Sequence, residues 1–509
     1  MQDRTRARPE GSTAAFHPRR PDGRIARTLY LLQPSFRRGA PSKGQVSMAI
    51  QGERIRILND VEPRGDGAYV LYLLQQANRA TFNPALELAI EEANRLGLPV
   101  VACFGLLDGA SGFPEANARH YAFLLQGLAD AKAGLEKRGI GFVMRKVSPA
   151  QIAIDLAADA ALLVLDRGYL AIQKGWYREI AGAVTTRIVQ VEGDVVVPVE
   201  TASGKHEYAA RTLRPKLNRL WDPFIAALKP RTVKHKADRL KLKSAVDVSD
   251  PEAVLAGMSL DRAVGPVKRF TGGETQARKR LKAFLKDGFA GYGAGRNRPE
   301  AAAASHMSPY LHFGQISPVE IALAVREAGI GDSDDRGAYL EELIVRRELA
   351  MNHVFYTEGY DDYDKAVPDW ARKTLAEHAT DARPHAYSEK QLAAGETHDR
   401  YWNAAMREMR ETGYMHNQLR MYWGKKILEW SPSPKEGFAR TLRLNNRYFL
   451  DGRDPNSFTN VAWVYGLHDR PWQKRKIFGT VRYQSENSLK KFDAKAYVRA
   501  VETLCAAEG

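Results

Sequence analysis

The chain is poor in cysteine: Cys103 and Cys505 are the two in 509 residues. So few thiols, so far apart in sequence, argue against a disulfide framework or a cysteine-ligated zinc site and for a reducing compartment. No stretch approaches the roughly 20 apolar residues that a membrane-spanning helix needs. A soluble intracellular protein with no membrane partner is therefore expected, in cytoplasm or nucleoid if the source is bacterial. The GxGxxG turn and the GxxxxGKS loop are both missing, which removes two common phosphate seats, and no metal site is expected. Acidic residues are in deficit too. Sixty Asp and Glu face 76 Lys and Arg, a formal net charge of +16. That surplus favours an anionic partner, nucleic acid first. Residues 1–50 carry ten basic and three acidic side chains, so +7 of the charge lies in that segment and +9 in the remainder.

The length exceeds what one compact core organises, so two domains plus tails are expected. Residues 1–50 are rich in Arg, Pro, Ser and Gly without sustained periodicity and read as a disordered basic extension. Its composition suits a targeting peptide, yet Pro9–Pro41 forms no amphipathic helix pattern; Met48, just before the first strand, is the alternative start. From 51 to 199 strands and helices alternate. Strands are expected at Arg54–Leu58, Pro99–Phe104, Gly141–Arg145, Ala161–Asp166 and Arg187–Val191, and helices at Pro84–Leu96, Ala116–Arg138, Pro149–Ala157 and Trp176–Ala183. The pattern is that of an α/β domain with a doubly wound, mostly parallel, Rossmann-like sheet, whose ligand crevice would lie beyond the carboxyl ends of the strands. Residues 200–267 form a polar connector with basic runs at Arg211–Lys216 and Lys229–Lys243. Residues 268–509 read as an all-α domain.

Within that domain, Tyr292–Pro318 reads YGAGRNRPEAAAASHMSPYLHFGQISP. Ser308 before Pro309 has the form of a helix N-cap, and Ser317-Pro318-Val319-Glu320 has capping-box spacing. Trp423 and Trp430 are seven residues apart on one expected helix, hence on one face and about 10.5 Å apart along its axis; core packing alone would explain such a pair. Asn445-Asn446, taken alone, reads as a loop pair.

The segments Y-x-x-x-R-N-x-P (Tyr292–Pro299) and S-x-M-S-P-Y-L-H-F-G (Ser305–Gly314) resemble the FAD-binding signature of photolyases and cryptochromes. EELIVRREL (Glu341–Leu349), GYMHNQLRMYWGKKILEW (Gly413–Trp430) and LDGRDPN (Leu450–Asn456) continue the match in the same order. The form MYWxKKILEW is similar to the class II cyclobutane pyrimidine dimer photolyases. The resemblance runs from about Arg54 to the C-terminus, weakly in the α/β half and strongly after Tyr292. This sequence differs from the family pattern at Ala304, Asn417, Asn446 and Gln484.

What the resemblance implies is specific. The fold would be that of photolyases and cryptochromes, and the activity light-driven repair of pyrimidine dimers by an electron from photoexcited, reduced, anionic FAD. Tyr292, Ser305, Met307 and Ser308 would line FAD, the tyrosine and serines facing its phosphates. Arg346 would add a forked cation; a surface ion pair with a neighbouring Glu is its alternative. Arg420 and Asp451 would form an ion pair beside the flavin, and Asn445 would stand near flavin N5. Trp423, then Trp402, with Trp430 as a further branch, would re-reduce the flavin. Glu342 would contact the dimer bases, Trp463 would wall the lesion, and Arg482 within the basic run Arg470–Arg482 would meet DNA phosphates. A second, antenna chromophore of deazaflavin or folate type is possible in this family; Gln75–Leu86 resembles its Arg/Asp-rich motif loosely. The expected partner is DNA containing pyrimidine dimers, and the expected state a monomer. Two rivals stand beside this reading: a cryptochrome-like blue-light receptor on the same scaffold, and a flavin-free nucleic-acid-binding protein.

Overall fold

The computed structural model describes residues 50–508, apart from 109–112, 114 and 302. The basic extension expected over 1–50 lies outside them, Ile50 excepted. Six strands form one sheet in the order β1-β6-β5-β2-β3-β4. They are β1 (Ile55–Ile57), β2 (Tyr69–Leu73), β3 (Val100–Gly105), β4 (Gly141–Arg145), β5 (Ala160–Asp166) and β6 (Arg187–Val191). All neighbours pair in parallel except β1, which runs antiparallel to β6 along the edge. Strands covered on both faces read as unbroken apolar runs, and β3 and β5 are buried at every position.

Strand β2, which shares the middle of the sheet with β5, is absent from the strands expected from the sequence. Its five residues, YVLYL, are all buried and show no alternation, so periodicity does not separate them from a helix fragment. Gly67 lets β2 approach β5: a Cβ there would come 2.2 Å from the Ala161 nitrogen.

Helices α1 (Pro84–Leu96), α2 (Ala118–Lys137), α3 (Pro149–Ala157) and α4 (Ala171–Ala183) cover the sheet. Asn83 and Ser148 cap α1 and α3 by accepting from Leu86 N and Gln151 N, each followed by a proline that needs no partner for its nitrogen. Helix α4 begins five residues before the expected Trp176.

The remaining described residues are mostly helical; besides shorter or peripheral helices such as Asp369–Glu377, they form α5 (Ala210–Leu220), α6 (Glu274–Asp287), α7 (Ser308–His312), α8 (Pro318–Glu327), α9 (Ser333–Leu340), α10 (Arg347–Tyr356), α11 (Arg400–Thr412), α12 (Asn417–Trp430), α13 (Pro434–Tyr448), α14 (Pro455–Val464) and α15 (Ala494–Glu508). Between α9 and α10 the segment Glu341–Arg346 is wound as a π-helix, a rare form concentrated at functional sites.

Three local expectations change. Ser308 is the first helical residue of α7 and caps nothing, since Met307 holds the N-cap position. Ser317 does cap α8 through Val319 N, but Glu320 does not close a capping box; Arg278 draws its carboxylate away instead. Asn445 and Asn446 lie in the last turn of α13, not in a loop.

The sheet and the helices meet along the chain that leaves β6. Arg54 donates to the carbonyls of Glu192, Val195 and Val196 at 3.0, 3.0 and 2.7 Å. From α10, Arg347 pairs with Asp194 at 2.8 Å and Glu348 accepts from Val196 N at 2.5 Å. Burial raises the Asp194 carboxyl to about 6 and that of Glu348 to about 8. Helix α10 is thus pinned immediately after the π-helical turn.

Candidate active site

The segment before α7 is built to receive an anion. His306 adopts a left-handed backbone (φ 55°) and Met307 a right-handed one (φ −83°, ψ −14°). Such a pair turns successive N–H groups to one side, forming an anion-binding nest. Among the described residues no acceptor takes the N–H of His306, Met307 or Ser308. Next to it, the Tyr339 hydroxyl donates to Ser305 Oγ at 3.1 Å, and the Tyr339 ring lies 5.2 Å from that of Tyr292. Burial raises the pKa of Tyr292, so its hydroxyl stays a donor. Met307 is buried.

His306 adds a donor that the motif does not specify. Its Nε2 lies 3.4 Å from Arg269 Nη2, and an arginine can only donate. Nε2 therefore accepts. Burial holds the pKa of His306 far below its usual value, with Arg269 the next cause. The neutral ring thus carries its proton on Nδ1, an atom that is buried and without a partner. An orphaned buried donor beside an anion nest, with hydroxyls at Tyr292 and Ser305, fits the pyrophosphate of FAD.

From His306 a chain of contacts leads inward. The His306 ring is 4.7 Å from Tyr414, whose ring lies 5.7 Å from the Arg420 guanidinium. Arg420 makes two parallel bonds to Asp451, at 3.2 and 3.1 Å, and covers the Phe449 ring at 4.0 Å. This fork fixes a positive charge in a largely buried place. Asn445, buried on α13, donates from Nδ2 to Asn446 Oδ1 at 3.1 Å, and Asn446 Oδ1 also accepts from Arg453 N at 3.0 Å. The Asn445 amide is thereby oriented by its neighbour.

Phe449 touches the tryptophans. Its ring is 6.2 Å from Trp423, which stacks on Trp402 at 6.5 Å and 9°. Trp402 Nε1 donates to the Trp423 carbonyl at 3.0 Å, and its ring meets Trp430 edge-on at 5.4 Å. Helix α12 supplies two indoles of one face and α11 inserts the third between them, so the three stand in a row. Trp430 in turn lies 5.2 Å from Tyr387 and 5.5 Å from the exposed His398.

The remaining expected residues gather at the π-helical turn. Glu342 pairs with Arg296 at 2.7 Å. Arg346 pairs with Glu341 at 3.0 Å, an acid that Arg214 also grips, and its guanidinium lies 5.9 Å over the Trp463 ring. Among the described residues no bond ties Arg346 to Ser305 or Ser308; the contacts it makes are with Glu341 and Trp463. Further on, Arg475 N and Trp472 N donate to Gly479 O and Thr480 O, closing a basic hairpin. Arg482 and Arg470 flank Trp472 at 5.0 and 5.4 Å, and this indole is 41% exposed. The motifs alone single out neither Trp472 nor His306. A lone large aromatic inside the run RPWQKRK was the available signal for the first; the second needs the contact with Arg269.

A separate cavity opens where the carboxyl ends of β2, β3 and β5 meet the helices. It holds about 860 Å³ of atom-free space, open mouth included, with Gln75, Asn78, Leu106, Tyr121, Gln173 and His312 in its wall. This is the switch point of the strand order, where such sheets bind ligands. Asn78 Nδ2 donates to Phe313 O at 2.8 Å, which leaves its Oδ1 buried and unpartnered, as is Gln75 Oε1.

A family model described as DNA photolyase matches residues 70–232. A deoxyribodipyrimidine photo-lyase of Methanothermobacter thermautotrophicus is 46% identical over 457 residues, covering 89% of this chain and 99% of that protein. One from Potorous tridactylus is 34% identical, covering 92% and 88%. Among solved structures, a bacterial class III photolyase from Agrobacterium tumefaciens superposes with a TM-score of 0.66 at 23% identity, over 87% of this chain and 88% of that one. A Synechocystis cryptochrome gives 0.65 at 16% identity, over 85% and 88%. An archaeal photolyase from Sulfolobus tokodaii, solved with two FAD molecules, gives 0.64 at 14% identity, over 86% and 93%.

Proposed function

The chain belongs to the photolyase family, and from that premise we propose that it is a light-driven lyase that splits cyclobutane pyrimidine dimers in DNA, working with FAD as a single chain. The observation that carries this reading is the unbroken row from the nest at His306, through the Arg420–Asp451 fork, to Trp423, Trp402 and Trp430. Reduced FAD would supply the chemistry, an electron lent to the dimer under blue light and then returned. The protein's own part is binding, orientation and electrostatics. The nest, Tyr292, Ser305 and the Nδ1–H of His306 would hold the phosphates. Arg420, held in place by Asp451, would set its guanidinium beside an anionic ring, and the Asn445 amide, neutral and oriented by Asn446, would stand there without the repulsion a carboxylate would bring.

On the DNA side, Glu342 and Trp463 would receive the extruded dimer, which leaves the stack at lower cost than an intact pair because the lesion already disrupts it. Arg482, Arg470 and Trp472 would engage the duplex. In the sheet-end cavity, two orphaned amide oxygens suit a planar antenna chromophore that presents N–H donors on a mostly apolar ring.

The test is direct. Reduced protein is mixed with DNA carrying thymine dimers and illuminated with blue light, and restored thymines are measured against a dark control. Light-dependent restoration is expected. None, with FAD bound and reduced, would move the assignment to a light receptor.

A further inference from the structure

Lys425 sits on α12 two residues after Trp423, so about 200° around the helix from it. The tryptophan face of α12 looks toward α11. Lys425 lies on the side that meets α14, where the helices touch closely: a Cβ on Gly424 would come 2.6 Å from Val464 Cγ2. The lysine is 1% exposed, and no ion pair joins it to a carboxylate among the described residues. A buried ammonium without such a partner is strongly unfavourable, so its place needs a reason.

Its Nζ donates to the carbonyl of Val464, the last residue of α14. The chain itself covers the preceding carbonyls: Tyr465 and Leu467 donate to Ala462 at 3.0 and 3.1 Å, and Gly466 to Trp463 at 3.1 Å. Lys425 therefore closes the end of α14 by satisfying the carbonyl next in line, and a cation is the group a helix C-terminus favours. Trp463 is the penultimate residue of that helix. Its ring, half-buried, is flanked by Arg346 and by the edge of His468 at 6.0 Å. His468 is itself in the left-handed region (φ 59°), so the turn below Trp463 is a strained one held from outside.

We propose that Lys425 is a positioning residue for the lesion: by binding the Val464 carbonyl it sets the end of α14, and through Trp463 it sets how strongly dimer-containing DNA is preferred over undamaged DNA. This rests on the reading of Trp463 as a wall of the lesion pocket.

The proposal carries a pH signature. Burial lowers the Lys425 amine to about 7, opposed by Asp469 and assisted by Arg482, the charges of the neighbouring hairpin that act on it. Behind Trp463, burial holds His353 at about 2 and His468 at about 4, and lowers His206 as well. His353 and His468 stay neutral where the amine changes charge, and burial moves His206 in the same downward direction. A charged donor binds a carbonyl more strongly than a neutral one, so lesion preference should be larger at low pH.

The experiment uses the full FAD-loaded chain in the dark. Dissociation constants are measured at fixed salt for a duplex with one thymine dimer and for the same duplex undamaged, at about pH 6 and about pH 8.5, either side of the lysine transition. Wild type should prefer the damaged duplex, and more so at the lower pH. Lys425→Met should lose about tenfold of that preference and its pH step. Affinity for undamaged DNA and the rate of flavin photoreduction should stay unchanged, because the tryptophan face of α12 is untouched. Equal weakening on both duplexes, or an unaltered preference, would overturn the proposal. If the variant does not fold, the wild-type series decides: a preference flat from pH 6 to 8.5 overturns it. Absence of any preference in wild type would instead sink the photolyase reading itself.

Discussion

Replacing Lys425 by methionine should stabilise the protein, and more at pH 6 than at pH 9. The unfolded lysine titrates near 10.5, and burial lowers the folded value to about 7. Between those values the unfolded chain holds a proton that the folded protein does not, so wild-type stability rises with pH across the window and is lowest below 7. At about 1.4 kcal/mol per unit, the folded protein bears a penalty of about 5 kcal/mol at pH 6 and about 2 kcal/mol at pH 9. Methionine, similar in length and apolar, bears neither. It forfeits the bond to the Val464 carbonyl, a loss of about 1 kcal/mol. The variant should therefore be ahead by about 3–4 kcal/mol at pH 6 and by about 1 kcal/mol at pH 9. Denaturant midpoints of both proteins at the two pH values measure this, provided the transition slopes agree. A gap that does not change with pH, or a wild type that is the more stable at pH 6, would refute the reasoning: the amine would then remain charged through a partner in the fold.

Trp402→Phe should slow photoreduction of oxidised flavin at least tenfold while dimer repair by pre-reduced protein persists, since Trp402 bridges Trp423 and Trp430; unchanged photoreduction removes it from the row. Glu342→Ala should lower repair yield more than DNA affinity, and a defect in affinity alone would make it a docking residue. His306→Phe keeps the ring against Tyr414 but deletes the Nδ1–H. It should weaken FAD retention by roughly 1.5–3 kcal/mol, the value of one bond to a charged group, read from the fluorescence of released FAD; unchanged retention would show that this donor faces something other than the cofactor.

Much of the site is legible along the chain because it is carried by local strings. Tyr292, Ser305, Met307 and Ser308 stand within 17 positions, and Arg420, Trp423 and Trp430 share one helix. What the strings do not contain is which string faces which. Arg346 illustrates this: its motif suggests a phosphate cation, and the π-helical turn puts it over Trp463 beside Glu341. Spacing rules assume α-helical periodicity, so they do not anticipate a π-turn such as Glu341–Arg346, which here packs against α5 and leads into the pinned α10. Asn445-Asn446 went the other way, since the Asn–Asn pair argues for a loop while α13 continues through it, its amides paired with each other and with Arg453.

The sequence by itself determined the class of each half. Apolar runs broken by capped helices specify a parallel sheet, amphipathic helices specify the remainder, and charge and cysteine content specify the kind of partner and compartment to expect. Class of fold and sign of charge are properties of periodicity and composition, which survive without neighbours; the compartment stays an expectation. Only the tertiary structure decided the rest. It made Tyr69–Leu73 one of the two middle strands, put Trp402 between Trp423 and Trp430, left one nitrogen of His306 without a partner, and buried Lys425 under the helix that carries Trp463. Each of these depends on residues far apart in the chain meeting at van der Waals or hydrogen-bond distance, and a tautomer, a stacking order or a buried amine has no signature until they do.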